Sequence, residues 1–353
     1  MSPIRQISQL RIFGIMSCYS DFPERRIPFS AFLLLTTLLF ATGCDQKSPS
    51  ANSQDGTRQT TLALNWYPEA EHGGFVAADG LGLFQDRKLA VEIIPGGSTA
   101  PNLVIQELAA GRIEFAVSTA DQVVTARGRG VPIVAVLAPI QQTPRCIMVH
   151  ESSGISSLQE LKNVELAISE ARPFALWMKK QLPLTGVTMI PYNGLVGEFL
   201  LKPDFAQQGY VFSEPFVARE KGGDPKVLML SEIGFNPYAS LLVTTEDVIN
   251  AKPELVRDLV IACQQGWQQY LESPEATNQR LNLENKEISI EALQYAVDSL
   301  RPLCRTADGE VFGSMTTERW QQLVEQIEAV QVVEAGSVKA ADCFTNRFLE
   351  SAP

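Results

Sequence analysis

From Thr60 to Thr245 the chain alternates short β-rich runs with helical patterns, and after Thr245 the strand pattern stops. Such alternation marks α/β architecture, in which helices connect the strands of a sheet and cover its faces. The β-rich runs predict strands over 61–65, 90–94, 113–118, 133–138, 146–150, 164–169, 187–191, 209–212, 226–230 and 240–244. Helices are predicted between them, over 101–110, 120–127, 157–161, 173–182, 194–201 and 215–221. Beyond Thr245, Leu255, Leu259, Cys263, Trp267 and Leu271 recur every fourth position and form one apolar helical face. Residues 290–300 and 317–330 repeat that pattern, with Pro253 and Pro302 as punctuation. A helical tail with no sheet of its own has to pack on an earlier lobe.

The N-terminal segment carries an export pattern. Arg25 and Arg26 precede an apolar run from Phe29 to Phe40, and Ala41-Thr42-Gly43 then lead into Cys44. Small residues ending in Cys, followed by Asp45-Gln46-Lys47-Ser48, are similar to a bacterial lipoprotein signal whose Cys becomes the lipidated first residue. Ala41 stands where such signals usually carry a large aliphatic residue. A membrane-spanning helix needs roughly 20 apolar residues, more than this run supplies. Residues 1–44 are therefore read as a lipoprotein signal peptide, and the polar, aperiodic stretch 45–59 as a flexible tether.

Beyond Cys44 the chain has 25 basic and 38 acidic residues, a net charge of −13 spread along its length. Without a basic tract it is a poor candidate for nucleic acid, whose binding rests on neutralising phosphates. About 300 residues suffice for two domains with real cores. Cys146, Cys263, Cys304 and Cys343 show no C-x-x-C spacing, so zinc and thioredoxin chemistry lack support. Either Cys304 pairs with Cys343 within the helical region, or all four are buried thiols. His72 and His150 are the only histidines, too few for most metal sites. No catalytic residue, metal or cofactor is assigned.

Ligands of open α/β sheets bind beyond the carboxyl ends of strands. After the first strand come Asn65-Trp66-Tyr67-Pro68-Glu69-Ala70-Glu71-His72-Gly73-Gly74, which crowd aromatics, carboxylates, an imidazole and two glycines together. Aromatics offer flat apolar area with a polar handle, and Gly73-Gly74 would let backbone approach a ligand. Pro95-Gly96-Gly97-Ser98-Thr99 and Ser118-Thr119-Ala120-Asp121-Gln122 are polar helix starts suited to acceptor groups, though ordinary capping competes. In the second half the corresponding ends hold Glu170 and Arg172, Tyr192 and Asn193, and Glu214 followed by proline. Arg145 and Tyr238 sit where the chain would pass between lobes, and Arg145 is equally credible as a clamp on a carboxylate.

The run from Leu62-Ala63-Leu64-Asn65-Trp66-Tyr67-Pro68 through His72-Gly73-Gly74-Phe75 to Gly82-Leu83-Phe84 resembles the opening of ABC-importer solute-binding proteins for thiamine precursors, aminosulfonates and nitrate. Leu89-Ala90-Val91-Glu92-Ile93, Gly111-Arg112-Ile113-Glu114-Phe115-Ala116 and Arg129-Gly130-Val131-Pro132-Ile133 also match, so the resemblance spans about residues 60 to 265. It implies a type II periplasmic-binding-protein fold, with 60–145 and 241–353 as lobe 1 and 146–240 as lobe 2. The crossovers then fall near 144–148 and 236–240, and the helical tail packs on lobe 1. Thiamine-pyrimidine synthases share this outline. In them a pyridoxal-phosphate lysine and a consumed histidine occupy the places of Ser118 and Gln122, and a cysteine-rich iron motif lies where this chain has Phe235-Asn236-Pro237-Tyr238-Ala239-Ser240. A Schiff base requires an amine and iron requires soft or imidazole ligands, so the enzymatic alternative is disfavoured.

The expectation is a lipid-anchored, monomeric, extracytoplasmic receptor in the cell envelope that hands an unreacted small molecule to an inner-membrane ABC permease. Trp66 and Tyr192 would stack a planar ligand, Glu69 and Glu214 would accept its N–H donors, and backbone at Gly73, Gly97 and Thr119 would satisfy its acceptors. Carboxylates beside aromatics favour an amino-substituted heterocycle such as a thiamine-precursor pyrimidine or a flavin-like ring. A sulfonate or nitrate receptor, and a module feeding a sensor, are the alternatives.

Overall fold

The computed structural model describes residues 56–350 apart from Asp308. The signal segment, Cys44 and the tether up to residue 55 lie outside the described residues. Ten strands divide into two five-stranded sheets among the described residues. The first sheet contains β1 (Arg58–Ala63), β2 (Leu89–Ile94), β3 (Phe115–Ser118), β4 (Ile133–Leu137) and β10 (Leu241–Thr245), in the order β2-β1-β3-β10-β4. The second contains β5 (Arg145–His150), β6 (Glu165–Ala167), β7 (Thr188–Ile190), β8 (Phe205–Tyr210) and β9 (Pro225–Met229), in the order β7-β6-β8-β5-β9.

Each sheet has a parallel core into which one strand from a crossover is inserted in the opposite direction. β10 runs antiparallel to both β3 and β4, and β5 runs antiparallel to both β8 and β9. β3, β4 and β10 are buried along their whole length, which explains their continuous apolar runs. The chain crosses between sheets over 138–144 and again over 230–240. The two crossovers bridge at Ile140 and Ala239, and Thr143 N donates to Asn236 Oδ1 at 2.8 Å.

Several predicted boundaries shift. β1 starts inside the expected tether: Arg58 and Gln59 already pair with Leu89 and Ala90, and Arg58 reaches Asp258 at 2.5 Å. The strand predicted over 209–212 is β8, begun earlier and hidden in the sequence by buried Gln207 and Gln208. The helix predicted over 157–161 is a single 3₁₀ turn, Leu158–Glu160. Arg145 opens β5, so the first crossover lies before it.

The helices are α1 (Gly73–Gly80), α2 (Ala100–Ala109), α3 (Ala120–Gly128), α4 (Pro173–Gln181), α5 (Gly197–Leu201), α6 (Glu214–Glu220), α7 (Glu246–Ala251), α8 (Pro253–Glu272), α9 (Glu275–Glu284), α10 (Ile290–Leu303) and α11 (Thr317–Ala329). α10 runs through Pro302 instead of stopping before it, because a proline in a last turn forfeits a single backbone bond. Among the described residues no helix is long and apolar enough to cross a membrane.

α8 lies directly on α1, and glycine makes the approach possible. A Cβ on Gly74 would fall 2.0 Å from Trp267 Cγ, one on Gly73 2.0 Å from Tyr270 Cε1, and one on Gly266 2.3 Å from Gly74 O. Gly73-Gly74, predicted to admit a ligand, instead admits the rings of α8. Trp267 then meets Phe75 edge-on with centroids 5.7 Å apart.

α8 and α9 pack on the first lobe, while α10 and α11 also reach the second: α10 touches α6, and α11 touches both α3 and α4. Arg319 of α11 donates to Gln141 O at 2.5 Å and Asn236 O at 3.1 Å, one carbonyl from each crossover. Cys304 belongs to the core around β1 and α8, whereas Cys343 belongs to the core joining α3, α11 and the second sheet. All four cysteines are buried free thiols, so the considered pairing of Cys304 with Cys343 does not form.

Gly74→Ala should lower stability by about 1–3 kcal/mol, the usual cost of overpacking a core. Gly97→Ala, whose nearest neighbour would be 3.7 Å away, should leave it unchanged. Urea unfolding of both variants against the parent measures the contrast.

Candidate ligand cleft

The first lobe contributes the turn that follows β1. His72 is fully buried. Its Nδ1 accepts from Glu69 N at 3.4 Å, and its Nε2 faces Asn65 Oδ1 at 2.9 Å. That pairing places the proton on Nε2 of a neutral ring, and burial pushes His72 down to about 3. His72 therefore holds the turn in shape, fixing Asn65 and the backbone of Glu69. Glu71 is 3 % exposed, and Ser240 Oγ donates to its carbonyl at 2.8 Å. Half-buried Trp66 lies edge-on to Tyr67 with centroids 5.6 Å apart.

The second lobe brings Glu214, at the start of α6, against this turn. Tyr192 donates its hydroxyl to Glu214 Oε1, and Tyr210 N donates to Oε2 at 2.8 Å. Gly209 leaves room for that carboxylate, since a Cβ there would lie 2.9 Å from Glu214 Oε2. Arg145 sits between the rings of Phe174 and Tyr210, 4.4 Å and 4.6 Å from their centroids, and its Nη2 donates to Tyr210 Oη at 2.9 Å. With the Gln122 amide nitrogen facing Pro101 O at 2.6 Å, its oxygen accepts from Arg172 Nη1 at 3.2 Å, a bond from one lobe to the other.

Three carboxylates thus come close enough to influence one another, Glu71 buried and Glu69 and Glu214 half-buried. Burial, reinforced by Glu71 and Glu214, raises Glu69 well above the usual carboxylate range. Burial also pushes Glu71 from 4.5 up to about 7, against the pull of Arg145 and with a further push from Glu214. Ser118, at the end of β3, is fully buried with no hydrogen-bond partner for its hydroxyl. Thr119 is the N-cap of α3. Asp121, in the first turn of α3, lies close enough to hold Arg145 in its charged form.

Other predicted residues face elsewhere. Tyr238 is 2 % exposed and turned toward the tail, with its ring under Arg319 at 3.7 Å and its hydroxyl accepting from Thr316 N at 3.0 Å. Exposed Glu170 pairs with Lys179 at 2.5 Å. Asn193 is exposed, and its Oδ1 closes a local turn on Leu195 N at 2.9 Å. Gly97 is half-buried and Ser98 exposed. Tyr210, Phe174 and Glu71 were not singled out, because their roles depend on Arg145 and on lobe closure. Glu71 and Phe174 carried a signal in the strand-end runs that hold them, whereas Tyr210 carried none.

A cavity of about 190 Å³ lies behind the hinge, lined by Asn236, Arg319 and Gln326 among others, and touches none of the three carboxylates. Among the described residues no group of His, Cys, Asp and Glu could hold a metal ion.

Two α/β lobes joined by paired crossovers, with polar strand ends facing a shared cleft, define a type II periplasmic-binding-protein fold. The periplasmic aliphatic sulphonate binding protein SsuA from Escherichia coli superposes with a TM-score of 0.66 at 14% identity, covering 84% of this chain and 94% of that one. The chain belongs to the NMT1/THI5-like family, whose model matches residues 69–277. Among curated proteins it is similar to the formylaminopyrimidine-binding protein of Halalkalibacterium halodurans, 23% identical over 335 residues, 90% of this chain and 98% of that protein. It is also similar to the 4-amino-5-hydroxymethyl-2-methylpyrimidine phosphate synthase of Legionella pneumophila, 21% identical over 307 residues, 84% of this chain and 93% of that one.

Folded Glu71 keeps a proton that the unfolded chain releases between pH 4.5 and 7, so this residue lowers stability as pH rises through that window. His72 acts oppositely: between pH 6.5 and 3 the unfolded chain binds a proton that the folded ring refuses, so stability is lost as pH falls. Glu71→Gln removes the first effect and keeps the second. Its melting temperature relative to the parent should therefore climb from pH 4.5 to about pH 7 and level off above that. A difference that stays flat across this range contradicts the buried-acid reading.

Proposed function

We propose that the protein is an extracytoplasmic solute receptor of an ABC importer, anchored as a monomer through a lipid on Cys44, that closes on a small planar nitrogen heterocycle. The observation that carries this reading is the meeting of Glu69, Glu71 and Glu214 across the lobes, with the stacked guanidinium of Arg145 beside Glu71 and Glu214. A carboxyl kept protonated by burial presents an O–H donor beside an acceptor. That pair complements the ring nitrogen and exocyclic amine of an aminopyrimidine. Glu214, oriented by Tyr192 and Tyr210, accepts a further N–H. Trp66 offers a face for stacking, and the orphan hydroxyl of Ser118 gains a partner, relieving a penalty of about 1–3 kcal/mol. The ligand docks on the first lobe, the second closes by hinge motion, and the permease receives the closed form. Similarity to a formylaminopyrimidine-binding protein supports the same ligand class.

An anion receptor fits less well. Sulfonate or nitrate would call for several free cationic donors, while Arg145 already serves Tyr210 and Arg172 faces Gln122. A synthase reading lacks its amine, because Ser118 cannot form a Schiff base.

Calorimetric titration with 4-amino-2-methylpyrimidine should show binding, and Glu214→Gln should weaken it about tenfold or more, the usual range for hydrogen bonds to a charged group. Tight binding of an alkanesulfonate with none of the heterocycle would refute the reading. For the anchor, Cys44→Ser should move the expressed protein from the membrane fraction to the soluble extracytoplasmic fraction. Retention on the membrane would exclude lipidation at Cys44 as the anchor.

A further inference from the structure

Beside Glu69 lies a cavity of about 70 Å³ with its wall assembled from three distant stretches of chain. Ala70 comes from the turn after β1, Phe212 and Val217 come from the second lobe around the start of α6, and Ala292, Leu293 and Ala296 come from α10. Glu69, Ser213 and the exposed Glu287 supply its polar edge. Tyr295 holds α10 and the start of α6 together beside this space. Its hydroxyl donates to Val211 O at 3.3 Å and accepts from Arg219 Nη1 at 3.1 Å, and its ring packs on Phe216 with centroids 5.0 Å apart. Phe212 crosses from the second lobe into the core cluster of the first and is 2 % exposed there.

We propose that this cavity is a subsite for a short alkyl substituent on the ligand, which makes α10 a specificity element of the cleft. The inference rests on the heterocycle reading above and deepens it. Continuity with Glu69 sets the place of the substituent, on the ring carbon next to the nitrogen that faces the carboxyl. At ~30 Å³ for each water-sized group, the space holds about two of them. Away from the polar edge the walls are alkyl and aromatic. An apolar group buried there should tighten binding about fourfold per carbon, whereas a water would lack partners on those sides. Because second lobe, turn and tail all contribute to its wall, a filled subsite also favours the arrangement that assembles it.

The test is calorimetric titration of the whole protein with 4-aminopyrimidine and its 2-methyl and 2-ethyl homologues, against the parent, Ala292→Leu and Ala292→Ser. In the parent, affinity should rise about fourfold with each added carbon. Ala292→Leu, which fills the space, should weaken the 2-ethyl compound at least tenfold more than the unsubstituted one. Ala292→Ser, which keeps the volume but adds a hydroxyl, should compress the series in the same sense by a few-fold. Equal affinity for all three compounds in the parent, or equal weakening of all three in both variants, overturns the subsite while leaving the heterocycle cleft standing. Binding of none of the three by the parent overturns the cleft reading and the subsite with it.

Discussion

Bringing Glu69 and Glu214, both half-buried, beside buried Glu71 is the constraint on which the rest of this region depends. Ionised carboxylates crowded together repel strongly where the dielectric is low, and each loses hydration on burial. The structure answers in three ways. Glu69 and Glu71 are held toward their protonated forms, Glu214 is bonded by Tyr192 and Tyr210 N, and Arg145 supplies a charge fixed between Phe174 and Tyr210. The first two carboxylates come from one lobe and the third from the other, so their coupling spans both lobes.

The C-terminal helices tie the two lobes to each other. α10 joins the second lobe through Tyr295, and α11 reaches both crossovers through Arg319. The hinge therefore consists of two bridged strands of chain and a clamping guanidinium stacked on Tyr238. Tyr238 was expected to meet the ligand. Its place is structural because a crossover ring between Arg319 and Trp320 is already enclosed by the tail.

Much of the fold was legible because strand and helix periodicities are local properties. The apolar face of α8 was readable from its fourfold spacing, and the strand ends carrying Asn65, Ser118 and Glu214 were readable from the polar residues that follow apolar runs. β8 was misplaced since buried Gln207 and Gln208 look like a loop, and the reason for burying them lies in the sheet around them. Gly73-Gly74 was legible as a place of close approach, but not as the approach of Trp267 and Tyr270 from far along the chain. Glu170 and Asn193 follow strands as site residues should, yet one pairs with Lys179 and the other closes a turn.

By itself the sequence determined the class of fold, the order of its strands, the acidity of the chain and the polar cluster after β1. Those follow from patterns that each short stretch carries alone. Only the tertiary structure decided that Glu69, Glu71 and Glu214 come together, that Arg145 stacks between Phe174 and Tyr210, and that α10 reaches the second lobe. The reason is that charge coupling and enclosure depend on distances between residues far apart in the chain, and local pattern does not encode those distances.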